Sequence, residues 1–293
     1  MKKILVTGAT GYLGSRLVRE LLQKGFEVFV IVRRTSDFSC LENNLFKFKS
    51  NIFYADELSK MLDKHKDISI LIHAATCYGR SGESDSFVTQ ANLNFPLEVV
   101  ETLLCKTDSL SRVINVDTIL DKFFNPYSLS KKQFTEWLEY YSKVKNITVE
   151  NVLLNYMYGE EDAKNKFTSF VIDSCLKNVR NINLTTGVQK KDFIYIDDVV
   201  SAICYILNRK LDHVGFYNYP LGSGYVHSVK EYAQLVKKIS KSKSNLNFGV
   251  VKSRDNEQDD LPADISNLYS LGWKPKYTLI EGLERTIQKE INK

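Results

Sequence analysis

Tyr127 and Lys131 lie four positions apart in the stretch Tyr127-Ser128-Leu129-Ser130-Lys131. On a helix the phenol and the ammonium share one face, a single turn apart. That pair suits proton transfer. A phenol beside a carbonyl oxygen can give up its proton as hydride reaches the carbon, and a neighbouring ammonium favours phenolate. Thr118, nine positions before Tyr127, carries a hydroxyl able to hydrogen-bond the same oxygen. A tyrosine and a lysine at this spacing occur by chance in many helices, so the pair gains meaning only from a second signal.

The second signal is Thr7-Gly8-Ala9-Thr10-Gly11-Tyr12-Leu13-Gly14, which follows a short apolar run and opens a helical pattern. Gly8 and Gly11 let the backbone turn tightly and approach a pyrophosphate. Gly14 lets helix and strand pack closely, and the helix N-terminus offers amides to an anion. Thr10, Tyr12 and Leu13 complete this cofactor cradle; the alternative is a glycine-rich turn without a ligand. At the end of the second strand stand Arg33-Arg34 and no acid. Arginine there accommodates a 2′-phosphate, so NADP(H) is the expected cofactor, with NAD(H) also possible. Both arginines can equally be solvated surface charges. Asp56 is placed to bond the adenine amino group or to cap a helix over Glu57 to Leu62. Lys131 would hold the nicotinamide ribose hydroxyls.

These side chains need a frame. Apolar runs at Ile4 to Val6, Phe26 to Val32, Ile52 to Tyr54, Ile68 to Ile72, Arg112 to Val116 and Ile147 to Leu154 read as strands. Helical periodicity falls at Tyr12 to Lys24, Asn92 to Leu104 and Tyr127 to Tyr141. The alternation predicts an α/β fold of the Rossmann type, a doubly wound parallel sheet with helices on both faces. Regularity weakens beyond residue 155. Helices are expected at Phe167 to Leu176, Val229 to Ile239 and Ile280 to Ile287. A strand is expected at Asp192 to Ile196, with Asp197-Asp198 capping a helix through Leu207. The organisation is a dinucleotide-binding domain over 1–155, with returning segments near 190–210, and a smaller substrate lobe over 156–293.

Composition narrows the class. The 293 residues are 43% hydrophobic and 26% charged, with net charge +5. No basic run is long enough to track a nucleic-acid backbone, and no apolar stretch is long enough to span a membrane. Five cysteines, an odd number without metal-ligand spacing, point to reduced thiols in a cytoplasmic protein and to no metal site.

TGATGYLG, His73-Ala74-Ala75, the Tyr127-to-Lys131 motif, Lys191 to Val199 and Leu271-Gly272-Trp273 together resemble the extended short-chain dehydrogenase/reductases, the NAD-dependent epimerase/dehydratase family. Cys77 to Arg80 and Asn115 to Asp121 are similar to the bacterial surface-polysaccharide members. Those reduce a 4-keto-6-deoxy sugar on its nucleotide carrier. The resemblance implies that Ala74 and Ala75 line the cofactor. It also implies that Tyr78, Arg80, Thr118 and Lys191 meet a nucleotide-sugar substrate, CDP- or dTDP-linked. Lys191 stands where the family usually has arginine, keeping the charge but losing the fork. Dehydratases of the family carry an Asp-Glu pair after the threonine, whereas Thr118 is followed by Ile119-Leu120, which cannot move protons. Ketone reduction is therefore the first expectation, 4-epimerisation the second, and a non-catalytic dinucleotide-binding scaffold the third. His73 and Cys77 read as packing residues. Apolar side chains around the helices that hold Leu97 and Trp137 suggest a homodimer, as related enzymes form.

Overall fold

The computed structural model describes residues 2–44, 49–210, 213–252, 259 and 261–292. The chain forms two compact units, Met1–Leu153 with Ile206–Tyr219, and Leu154–Tyr205 with Pro220–Lys293. Its elements run β1 (Lys3–Thr7), α1 (Tyr12–Gln23), β2 (Glu27–Val32), β3 (Ile52–Tyr54), α2 (Leu58–Lys64), β4 (Ile68–His73), α3 (Asp85–Thr89), α4 (Phe95–Lys106), β5 (Arg112–Thr118), α5 (Pro126–Val144) and β6 (Thr148–Leu154). There follow β7 (Tyr156–Tyr158), α6 (Phe167–Leu176), β8 (Asn181–Asn183), β9 (Lys190–Lys191), β10 (Phe193–Tyr195), α7 (Ile196–Asn208), β11 (Phe216–Leu221), β12 (His227–Ser228), α8 (Val229–Ile239), β13 (Asn245–Asn247), α9 (Ser266–Ser270) and α10 (Leu279–Ile291).

The main sheet has the strand order β11-β6-β5-β4-β1-β2-β3. It is the Rossmann-type doubly wound sheet that the alternation predicts. β1 pairs in parallel with β2 on one side and β4 on the other, Thr7 lying opposite both Ile31 and His73. The chain reverses its winding direction between β1 and β4, and such a switch point opens a crevice at the carboxyl ends of the strands. Ile4, Leu5 and Val6 are wholly buried on both faces, as a strand covered by helices on each side must be. α1 turns Leu13, Leu17, Val18 and Leu21 inward. Leu5, Phe29, Leu71, Val113, Phe134, Leu138 and Val149 belong to one buried cluster beneath the crevice.

The segment that returns to the first unit is Ile206–Tyr219. A buried cluster fastens it. Arg112 makes paired bonds of 2.5 and 2.8 Å to the Glu150 carboxylate and also donates to the carbonyls of Ile206 and Leu207. Arg209 reaches Glu150 at 3.0 Å and lies 4.2 Å from the Tyr217 ring. The guanidinium of Arg112 thus bonds two carbonyls in the last turn of α7, where the helical ladder runs out, and the Ile206 carbonyl also accepts from Arg209 N–H at 3.2 Å.

In the second unit, β7 with β10 and β8 with β13 form parallel pairs, and β9 with β12 an antiparallel one. Asp192, wholly buried, accepts from the N–H and hydroxyl of Ser223 and from the N–H groups of Gly224 and Ala263. A single carboxylate therefore shapes the Gly222–Gly224 loop. The expected cap at Asp197-Asp198 is not formed. α7 already begins at Ile196, and Asp198 accepts instead from the N–H groups of Lys276 and Tyr277, at 2.9 and 3.1 Å. Among the described residues, no helix is long and apolar enough to cross a membrane.

Candidate active site

The glycine loop lies at the switch point. Gly8 has φ +72°, which an L side chain rarely adopts, and a Cβ there would sit 2.5 Å from Ala75 N and 2.6 Å from the Ala74 carbonyl carbon. The loop is therefore pressed against the segment that leaves β4, and Ala74 N–H donates to Thr7 O. A Cβ on Gly14 would collide with the Gly8 backbone, so the third glycine is needed where helix and loop touch. Gly11 caps α1 without a side-chain bond, leaving the first-turn amides of Tyr12, Leu13 and Gly14 aimed outward. Arg16 lies over the Tyr12 ring at 4.3 Å. This cradle fits a pyrophosphate, and only backbone can fill it so closely.

At the far side of the cradle the structure separates the two arginines. Arg34 pairs with Asp56 at 2.6 Å and with Glu57 at 3.6 Å, and lies 4.5 Å from the Tyr54 ring. Arg33 makes no ion pair among the described residues; its backbone N–H donates to Ser36 Oγ. Asp56 does not cap a helix. α2 starts at Leu58, and it is Glu57 that accepts from the Tyr54 N–H at 3.2 Å.

α5 carries Tyr127 and Lys131. Asn125 accepts from Ser128 N–H at 2.8 Å, Ser128 Oγ accepts from Asn125 N–H at 3.1 Å, and Pro126 is in the first turn. This reciprocal cap fixes the helix start one residue before Tyr127. Further along, Phe134, Leu138 and Tyr141 are buried, and Lys131 falls on the same stripe at helical spacing. The lysine is therefore drawn inside. It is 1% exposed, and its Nζ has no hydrogen-bond partner among the described residues. Desolvation lowers its pKa to about 8, with Asp117 opposing and Lys132 adding to the shift. A buried ammonium without an acceptor is costly, and ribose hydroxyls would supply acceptors.

Tyr127 sits one turn before Lys131, 5.0 Å from the Tyr78 ring and beside Thr118, whose Oγ1 accepts from the Leu120 N–H at 3.2 Å. β5 runs to Thr118, two residues past the Val116 end that the apolar run suggests, so Thr118 is the last strand residue. Burial raises the Tyr127 pKa, Tyr78 and Asp117 raise it further, and Thr118 and Arg80 oppose. The expectation that Lys131 draws the phenol down is not met in the chain alone, where desolvation dominates. The group is thus held as a phenol, the form that donates. Arg80 stacks on Tyr78 at 4.9 Å. Lys191 belongs to the second unit, buried on β9 and 4.9 Å from the Tyr156 ring.

Sequence reading missed Asn92. It lies in a π-turn (Gln90–Asn94) before α4, so the regular helix begins at Phe95 and not at Asn92. Its amide accepts from Cys77 N–H at 2.7 Å and donates to Cys77 O at 2.8 Å and Ser130 Oγ at 3.1 Å. It therefore ties the segment bearing Ala75 and Tyr78 to α5. An asparagine on the buried side of an apolar stripe was the available signal. Asn155 in the second unit was missed as well; its side-chain oxygen is buried and lacks a partner among the described residues. His73 is wholly buried, bonded to Thr7 Oγ1 at 2.7 Å and kept neutral by desolvation.

A glycine cradle at the switch point beside a Tyr–Lys helix defines a class of dinucleotide-dependent α/β proteins. Residues 4–219 match the NAD dependent epimerase/dehydratase family, and the chain belongs to that family. It is 30% identical to CDP-abequose synthase of Salmonella muenchen over 98% of this chain and 97% of that protein. It is 28% identical to a putative UDP-glucose 4-epimerase of Methanocaldococcus jannaschii, covering 97% of each. In structure it resembles the UDP-glucuronic acid 4-epimerase of Bacillus cereus, solved with UDP-glucuronic acid and NAD, at TM-score 0.82 and 24% identity over 99% of both chains.

Proposed function

We propose that the chain is an NADPH-dependent reductase of the 4-keto group of a CDP- or dTDP-linked 4-keto-6-deoxyhexose, acting in bacterial surface-polysaccharide precursor synthesis. The observation that carries this reading is the Tyr127 phenol beside Thr118, one helical turn from a buried Lys131 whose Nζ has no hydrogen-bond partner among the described residues. The full-length likeness to CDP-abequose synthase supports the substrate class. When bound, the dinucleotide supplies hydride to the ketone carbon. Gly8, Gly11, Gly14 and the first amides of α1 hold its pyrophosphate, and Lys131 holds the ribose beside the nicotinamide. Thr118 orients the ketone oxygen, and Tyr127 gives that oxygen its proton. Tyr78 and Arg80 flank the sugar. Ile119-Leu120 supply no acid or base, which argues against dehydration.

A second reading, 4-epimerisation with bound NAD, is favoured by one observation. Arg34 is already paired with Asp56, so only Arg33 remains to meet a 2′-phosphate. The decisive assay incubates the protein with NADPH and a panel of CDP-, dTDP-, GDP- and UDP-linked keto sugars while absorbance is followed. Consumption of NADPH with a 4-keto-6-deoxy sugar is expected, with weaker use of NADH and reduced NADPH affinity in Arg33→Ala. Sugar interconversion without net oxidation would establish the epimerase instead, and equal affinity for the two cofactors would sink the NADP(H) preference.

The reading includes a homodimer. Trp137 (43% exposed) and Tyr140 (52% exposed) project from α5 with rings 6.0 Å apart, while Phe95 and Leu97 on α4 are partly covered. An isologous contact would bury both faces at once. Light scattering at micromolar concentration should give twice the 33.7 kDa of one chain, and Trp137→Glu should give monomer. A wild-type mass of one chain would contradict it.

A further inference from the structure

The residues on either side of the proton-handling groups carry an ion pair that the reduction scheme does not use. Asp117 precedes Thr118, and Lys132 follows Lys131. Asp117 is 2% exposed, and its Oδ2 lies 3.0 Å from Lys132 Nζ. The two side chains grip the Thr118 backbone from both ends. Asp117 Oδ1 accepts from the Thr118 N–H at 2.7 Å, and Lys132 Nζ donates to the Thr118 carbonyl at 2.5 Å. Asp117 Oδ2 also accepts from Thr135 Oγ1 at 3.0 Å and from Asn151 Nδ2 at 3.3 Å. Asn151 in turn bonds Asn115 and Asn218.

Stability alone does not explain such a pair. The Asp117 carboxylate is fully buried and Lys132 is 20% exposed. Replacing an ion pair drawn this far from water by well-packed apolar groups is often neutral or stabilising, so its presence calls for a positional reason. Position is what it supplies. Thr118 ends β5, where the sheet ladder stops holding the backbone, and its hydroxyl must meet Tyr127 in a fixed place. Charge-assisted bonds to both its N–H and its C=O replace the missing ladder.

We propose that Asp117 and Lys132 are positioning residues that clamp Thr118 so that its hydroxyl meets both Tyr127 and the ketone oxygen. This rests on the reading of Tyr127 as the proton donor. The pair also acts on Lys131 with opposite signs. Facing Lys131 are Asp117 from β5, which raises its pKa, Lys132 from its own helix, which lowers it, and neutral His73 from β4. Removing the acid and removing the lysine should therefore move the pH profile in opposite directions, which a purely structural role would not do.

The test compares Lys132→Met, Lys132→Arg and Asp117→Asn in the full chain. Lys132→Met should lower kcat by about 10- to 100-fold, the scale of a small misplacement at a reacting centre, while the Kd for NADPH stays unchanged. Lys132→Arg should restore most of the loss. The basic limb of kcat should move up in Lys132→Met and down in Asp117→Asn. Backbone hydrogen exchange over residues 117–121 should quicken in both, and not in Lys132→Arg. Wild-type kcat in Lys132→Met, or a loss matched by equal losses of cofactor affinity and thermal stability, would overturn the clamp. A wild-type protein that turns over no nucleotide sugar would overturn the functional reading instead. The exchange experiment then still decides the clamp, and unaltered exchange in both variants rejects it.

Discussion

Tyr127→Phe is expected to reduce turnover by roughly a thousandfold, within the span that a single general acid contributes. The substitution removes one hydroxyl and keeps the ring that packs 5.0 Å from Tyr78. Cofactor affinity should therefore stay near the wild-type value, because the glycine cradle and Lys131 are untouched. Lys131→Ala should damage both cofactor binding and turnover. The contrast is the informative part. Activity of Tyr127→Phe within a few-fold of wild type would mean that another group supplies the proton. Loss of cofactor binding in that variant would mean that the phenol is structural. The Lys131 pKa of about 8 adds a pH test. If the charged lysine is the working form, reductive kcat should fall as pH rises through that value. A profile flat to pH 10 would contradict it.

Glu150→Ala is expected to produce the largest loss of stability. Glu150 is wholly buried and receives Arg112 in a two-point contact, with Arg209 at 3.0 Å. Alanine leaves the buried Arg112 guanidinium without its carboxylate, and breaking a buried pair from one side costs about 3–5 kcal/mol. At a rough 2 °C or more per kcal/mol for a chain of this size, the melting temperature should fall by at least about 6 °C. The site lies at the opposite ends of β5 and β6 from Thr118, so kcat at low temperature should be retained by the folded fraction. A melting temperature within about 1 °C of wild type would show that the cluster contributes nothing net, as exposed pairs often do.

The elements that bear the chemistry were legible because each announces itself locally. The glycine spacing after an apolar run, the β-branched strands and the Tyr-to-Lys interval are all properties of stretches shorter than about twenty residues, where periodicity and turn chemistry operate. α6 and α8 fall at Phe167–Leu176 and Val229–Ile239, where the apolar spacing predicts them. The short strands β8, β9, β12 and β13 were not legible. Runs of two or three residues carry no period, and they exist because partners far along the chain align with them, as Asn181 to Asn183 do with Asn245 to Asn247.

By itself the sequence determined the fold class, the glycine loop between β1 and α1, and the placing of Tyr127 and Lys131 one turn apart on a helix. Only the tertiary structure decided how those groups are tuned. Lys131 loses its solvent because the buried stripe of α5 runs through it, and the Tyr127 pKa rises because burial, Tyr78 and Asp117 together outweigh Thr118 and Arg80. Arg34 is engaged because β3 brings Asp56 beside it, a juxtaposition spanning 22 positions that no local pattern encodes. Asp117 and Lys132, unremarkable charges in the sequence, become an ion pair around Thr118 because β5 and α5 meet there. Local sequence sets which conformations each segment prefers. Desolvation and charge pairing depend on what the rest of the chain places alongside, so they come into being only with the fold.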